Sequence, residues 1–214
     1  MKIVQMSDSK MSSKNTAYRR KTSEQRRQDL IEAGIRCLGM GGMSAFTIDN
    51  ICKQAKVSRG LINHHFDTKD KLLLCIYSSM TDYLVRTEDT DLPRQQIERF
   101  IEKSFDESSF DVSALRAWLA IWGQVATNVE LMQLHQSRYE KYKNSLVSAI
   151  DKIAGKRNLN VDAISIARRL IALIDGLWLE YCLHSDGFSL EVAKMDCYQS
   201  LNSNLGATIF RAKD

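Results

Sequence analysis

Apolar residues recur at helical spacing along almost the whole chain from residue 22 onward. Thr22 or Ser23 can cap the first helix, with Glu24 in its first turn. Ile31, Ile35 and Leu38 then repeat beside Leu30, Gly34 and Cys37, and the run should stop at Gly39–Gly42. A short second helix is predicted from a Thr47 cap, with Asp49 and Asn50 in its first turn and Ile48, Ile51, Cys52 and Ala55 on its apolar face. Ser58 can cap a third, turning Leu61 and Ile62 inward. A fresh cap at Asp67–Thr68 opens a fourth, outlined by Leu72, Leu73, Ile76, Tyr77, Met80 and Leu84.

Beyond Pro93 the same period continues. Ile97, Phe100, Ile101, Ser104 and Phe105 share one face, and Leu115, Trp118, Leu119 and Trp122 share another. Residues 128–154 form a long amphipathic stretch, 155–160 a loop, 161–184 the most apolar helix and 189–206 a last one. A single proline in 214 residues fits long helices with few hard stops. The predicted fold is all-α: an N-terminal three-helix unit over 22–68 and a helical domain over 69–214, preceded by a polar, basic, disordered arm over 1–21.

Composition adds limits. At 44% hydrophobic and 26% charged residues the chain is of ordinary soluble type. No apolar run approaches the roughly 18 residues of a membrane span, and the N-terminus lacks the apolar region of a secretory signal, so a cytoplasmic protein is expected. The five cysteines are odd in number with no C-x-x-C pair, which favours buried reduced thiols over disulfides or zinc. Net charge is only +4, yet residues 1–72 hold 14 Lys or Arg against 7 Asp or Glu. A basic first third on an acidic remainder points to a polyanionic partner, although a solvated tail accounts for part of it.

Two short helices joined by a tight turn and packed on a longer one make the helix-turn-helix plan. In that plan the second helix of the pair puts its N-terminal residues against base edges in the major groove. Those residues are Ser58, Arg59 and Gly60, with Asn63 and His64 one turn on. Arg59 can donate twice to guanine, Asn63 can pair with adenine, and Gly60 permits close approach. Thr47 and Lys69 stand at helix starts, where phosphates are held. His64 and His65 are adjacent, point about 100° apart on a helix and cannot share a metal. His64 is assigned to a phosphate, and His65 is expected to pack with Phe66 on the first helix.

The run "TIDNICKQAKVSRGLINHHFDTKDKLL" (47–73) resembles the DNA-binding segment of the tetracycline-repressor (TetR) family. Thr47, Ile51, Ala55, Val57, Ser58, Gly60, Phe66, Lys69 and Leu72 match the family pattern in register. Cys52, Lys56 and Asn63 depart from it, standing where the family has a small alanine, a turn glycine and a tyrosine. A left-handed Lys56 would cost about 1 kcal/mol. The resemblance implies a homodimer reading a palindromic operator in double-stranded DNA, with recognition helices about 34 Å apart. Two apolar C-terminal helices suited to a four-helix dimer interface point the same way.

All three tryptophans, Trp118, Trp122 and Trp178, fall in the C-terminal part. Such stripes are more often core than binding surface, but Asp175 lies one turn before Trp178 on an otherwise apolar helix, and Asp106 follows Phe105. A carboxylate beside indole rings suits a quaternary ammonium, through charge and cation–π attraction. Equally, Arg168, Arg169 or Arg116 could neutralise Asp175 in a plain buried ion pair. "FDES", "ALRAWLAIW" and "LIDGLWL" resemble ligand-domain segments of the BetI-type, choline-responsive repressors of glycine-betaine synthesis. That resemblance implies choline or betaine aldehyde as a small-molecule effector, with Phe105, Asp106, Trp118, Trp122, Asp175 and Trp178 as ligand contacts. A sensor of a drug or fatty acid, and a ligand-free DNA-binding protein, are the competing readings. No Gly-x-Ser-x-Gly, P-loop, dinucleotide fingerprint or paired metal ligands occur, so neither catalysis nor a cofactor is expected. His135 and His184 are isolated in sequence and read as exposed or core.

Overall fold

The computed structural model describes residues 22–85, 92–106, 112–206 and 208–210. Among them lie α1 (Ser23–Ala45), α2 (Ile48–Ala55), α3 (Arg59–Phe66), α4 (Lys69–Val85), α5 (Pro93–Ser104), α6 (Val112–Val125), α7 (Val129–Lys156), α8 (Ala163–Leu183) and α9 (Leu190–Leu205). The expected arm over 1–21 lies outside the described residues, as do Glu107 and Ser108.

Local chemistry explains most boundaries. Thr22 caps α1 through a reciprocal box, its hydroxyl accepting from the Gln25 amide while the Gln25 side chain accepts from the Thr22 amide. The expected stop at the glycines is a kink: Gly41 and Gly42 leave helical geometry, Gly42 at φ 60°, and one more turn follows before Phe46. Thr47 caps α2 by accepting from the Asn50 amide at 3.2 Å. Lys56 then ends α2 in the left-handed region (φ 56°, ψ 47°), the conformation for which a glycine is suited. Thr68 caps α4 by accepting from the Lys71 amide. Asn128, Asp162 and Ser189 cap α7, α8 and α9 in the same manner. The helix α7 runs into the segment read as a loop, through Gly155 to Lys156.

The three N-terminal helices close over Leu30, Leu38, Phe46, Ile51 and Ile62, all fully buried. Helix α4 adds Leu72, Leu73, Ile76 and Tyr77 and carries this core without interruption into that of α5–α9. Helix α1 packs against both α4 and α6 at two glycines. A Cβ at Gly34 would stand 2.4 Å from Ile76 Cδ1, and one at Gly39 would stand 2.6 Å from the Ser113 backbone oxygen. Among the described residues, no helix is long and apolar enough to cross a membrane.

Candidate DNA-reading helix and effector cavity

The first candidate site is the α2–α3 pair. Thr47, Ser58, Arg59, Gly60, Asn63 and His64 are all exposed, while Lys69 is half-buried with its ammonium 5.8 Å from the centre of the Phe46 ring. Ser58 occupies the N-cap of α3, but its hydroxyl makes no capping bond. A Cβ added to Gly60 would meet nothing within 4 Å, so nothing in the described protein demands a glycine there. His64 and His65 stand edge to face with ring centres 5.0 Å apart. His65 is half-buried beside Phe66, over which the Arg27 guanidinium of α1 sits at 5.2 Å. Burial, with help from His64 and Arg27, holds the His65 imidazole below its usual range. A group that reasoning from sequence passed over is Asp49: its carboxylate takes the Arg59 guanidinium at 2.5 Å.

The second candidate site is a cavity of about 110 Å³ in the C-terminal part. Trp118, Trp122 and Trp178 bound it from α6 and α8, with ring centres 5.8 to 6.4 Å apart. Phe100, Tyr139 and Tyr142 line it from α5 and α7, and Tyr77 and Thr81 from α4. Two bonds fix its walls. The Trp178 indole N–H donates to the Ser104 carbonyl at 2.9 Å, and the Tyr77 hydroxyl shares a hydrogen bond of 2.7 Å with His135 Nδ1.

Among the described residues, Asp175 is the one carboxylate on this lining. Burial pushes its carboxyl up to about 6. Arg116, Arg168 and Arg169 are all exposed, and Arg169 is bonded to Asn204. None of them reaches Asp175, so the buried ion pair weighed from sequence does not form. Burial likewise lowers the His135 imidazole and raises the Tyr77 hydroxyl to about 12, so both are neutral near pH 7.

Of the six ligand candidates, Trp118, Trp122, Asp175 and Trp178 line this cavity. Two do not. Phe105 is fully buried in the core at the C-cap of α5 and is not among the residues that line the cavity. Asp106, one residue further, lines a neighbouring cavity that shares Ser104, Trp118 and Trp178, and lies 3.7 Å from the Lys103 ammonium. The residues sequence reasoning missed are Tyr77, Thr81, Phe100, His135, Tyr139 and Tyr142. His135, Tyr139 and Tyr142 follow at i, i+4 and i+7 within the amphipathic stretch over 128–154, a spacing that does not distinguish core from cavity.

Comparison with known proteins places the chain in a family. Residues 93–206 match the C-terminal domain of BetI-type transcriptional repressors, and residues 30–76 match bacterial regulatory proteins of the tetR family. The HTH-type transcriptional regulator BetI of Pectobacterium carotovorum is 30% identical over 192 residues, spanning 86% of this chain and 95% of that protein. Its counterpart in Pseudomonas aeruginosa is 31% identical over 188 residues, spanning 84% and 93%. A solved transcriptional regulator from Pseudomonas aeruginosa PAO1 superposes with a TM-score of 0.72 at 32% identity, over 89% of this chain and 95% of that one. The fold also matches a regulator from Saccharomonospora viridis solved in complex with choline, with a TM-score of 0.68 at 21% identity, over 85% and 98% of the two chains. The chain belongs to the TetR family of bacterial transcriptional regulators and carries a BetI-type C-terminal domain.

Proposed function

We propose that this regulator is a dimeric repressor whose effector is a small quaternary ammonium compound of the choline class. The observation that carries the reading is Asp175, a half-buried carboxylate with no hydrogen-bond or ion-pair partner among the described residues, on a cavity walled by three indoles. An ionised carboxylate so placed is costly until a cation offsets it. A trimethylammonium group cannot donate a hydrogen bond, so it is best recognised by ring faces and a nearby negative charge.

In this reading Ser58, Arg59, Gly60, Asn63 and His64 face the major groove of a palindromic operator, with Thr47 and Lys69 at phosphates. Dimerisation through α8 and α9 would set the spacing of the two recognition helices. The exposed Ile164, Leu179 and Leu183 on α8 and Val192 and Met195 on α9 supply an apolar surface for it. The effector must bind the DNA-incompetent arrangement more tightly than the competent one. Helix α4 suits the relay, because Tyr77 and Thr81 line the cavity eight and twelve residues after its first residue, Lys69. The regulated genes would then be those of choline uptake and its oxidation to glycine betaine, with choline or betaine aldehyde as inducer, in the cytoplasm.

Titration of choline into the purified protein, followed by tryptophan emission, tests the effector. Saturable quenching by choline that a fatty acid does not reproduce is expected, and Trp118→Ala should remove it. A response to the fatty acid alone would overturn the assignment.

A further inference from the structure

The contact between Asp49 and Arg59 has a place in DNA reading that neither residue has alone. Arg59 is the first residue of α3, and Asp49 is in the first turn of α2. The two are ten residues apart and are brought together by the left-handed turn at Lys56. They meet at 2.5 Å, with both side chains mostly exposed (72% and 64%). In water such a pair contributes little stability. Its cost in side-chain freedom must therefore be weighed against something other than the fold.

A free arginine at the start of a recognition helix has two competing acceptors on a duplex. One is guanine, whose O6 and N7 it can take together; the other is any nearby phosphate, which carries no sequence information. Asp49 changes that competition. Its carboxylate occupies the Nη2 end of the guanidinium fork, leaves the other donors for a base, and offsets the charge that would draw Arg59 to phosphates indiscriminately. The neighbouring surface is kept open. Gly60 has no Cβ and no protein atom waiting for one, and the Ser58 hydroxyl is not used in capping.

We propose that Asp49 is a specificity-determining positioning residue: it holds Arg59 for base reading and suppresses its non-specific use on phosphates. This rests on the assignment of α3 as the recognition helix. Asp49 touches no base in this scheme, and it acts through the Arg59 guanidinium.

Binding-site selection from a randomised duplex pool tests the proposal on the full chain, with Asp49→Asn, Asp49→Glu and Arg59→Ala beside the wild type. Affinity for random-sequence duplex is then measured against salt. Arg59→Ala should lose preference for one guanine per half-site, a fall in discrimination of about 5- to 150-fold. Asp49→Asn should lose most of the same preference while binding random duplex more tightly, with a salt slope steeper by about one unit per subunit. Asp49→Glu, which keeps the carboxylate, should stay nearer the wild type on both counts. Asp49→Asn with wild-type discrimination and slope would overturn the proposal and leave Arg59 as the reader. Loss of all DNA binding in Asp49→Asn would also overturn it, since the proposal requires tighter random binding. An unchanged guanine preference in Arg59→Ala would instead remove the recognition-helix assignment itself.

Discussion

The hydroxyl of Tyr77 and Nδ1 of His135 lie 2.7 Å apart and tie α4 to α7 on the lining of the tryptophan cavity. Tyr77 also packs edge to face on Trp118, with ring centres 5.9 Å apart. Tyr77 therefore links α4 to α7 through its hydroxyl and to Trp118 of α6 through its ring. Tyr77→Phe keeps the ring contact and removes the bond alone. It should cost about 1 kcal/mol, and an unfolding midpoint lower by about 2–4 °C is expected for a chain of this length. A double-mutant cycle with His135→Phe isolates the pair. Coupling near 1 kcal/mol is expected, and strict additivity would show that the bond contributes nothing.

Asp175 should make effector affinity depend on pH. Its carboxyl is pushed up to about 6 by burial, whereas choline keeps its charge at every pH. Only the ionised carboxylate attracts the cation, so choline affinity should be level above about pH 7. Below about pH 6 it should fall about tenfold per unit. In Asp175→Asn the dependence should vanish along with most of the affinity. Calorimetric titration between pH 5 and 8 in both proteins checks this, and a flat wild-type profile would count against Asp175 as the anion.

The same carboxylate should limit the stability of the ligand-free protein. Its folded pKa lies above the usual 3.8, so between about pH 4 and 6 the folded chain holds a proton that the unfolded chain has released. Stability from this group is present below that window and is lost as pH rises through it. Asp175→Asn should therefore be more stable than wild type at pH 7, by on the order of 2 kcal/mol, and equal to it near pH 4. Urea midpoints at the two pH values decide the matter. A destabilised Asp175→Asn at pH 7 would mean that the carboxylate has a stabilising partner.

How far the sequence carried differs between the two sites. The α2–α3 pair is governed by local rules, caps and turn residues, so Thr47 and Ser58 could be placed at helix starts from the chain alone, while Lys56 stood out only as the residue in place of the resembled family's turn glycine. The tryptophans and Asp175 were visible because a lone acid on an apolar helix is costly unless a cation or a proton offsets its charge. Tyr77, Phe100, His135, Tyr139 and Tyr142 were not, because an aromatic on an amphipathic helix looks the same whether it meets core or cavity. Which of the two it meets depends on the crossing of α4, α5, α7 and α8, a tertiary property that periodicity does not contain. Phe105 and Asp106 fall outside the lining of the tryptophan cavity for a related reason. They continue the sequence of α5 but fall at and beyond its end, where the helical face no longer determines direction.

Lys56 offers a test confined to the backbone. It is exposed and sits at φ 56° and ψ 47°, where a side chain is strained by about 1 kcal/mol. Lys56→Gly should relieve that strain and raise the unfolding midpoint by about 2–4 °C, less what glycine's freedom adds to the unfolded chain. Lys56→Ala removes the same charge and keeps the strain, so it should give no gain. Equal midpoints for the two variants would locate any effect in the lysine charge rather than in the turn.

Three glycines within 27 residues should answer the same substitution differently. At Gly39 a methyl group would stand 2.6 Å from the Ser113 backbone oxygen, which cannot rotate away. Gly39→Ala should force α1 from α6 and cost about 1–3 kcal/mol. At Gly34 the nearest atom is the Ile76 Cδ1 at 2.4 Å, the end of a side chain that can turn, so the cost should be smaller. At Gly60 a methyl group meets nothing, and alanine is the better helix former, so Gly60→Ala should leave stability unchanged or raise it by up to about 1 kcal/mol. Its effect should appear on DNA instead, where an added methyl on the exposed face of α3 blocks close approach. Unfolding midpoints and operator affinity measured on the three variants separate packing from recognition. A Gly60→Ala protein that binds operator like wild type would show that the duplex does not approach α3 at this residue.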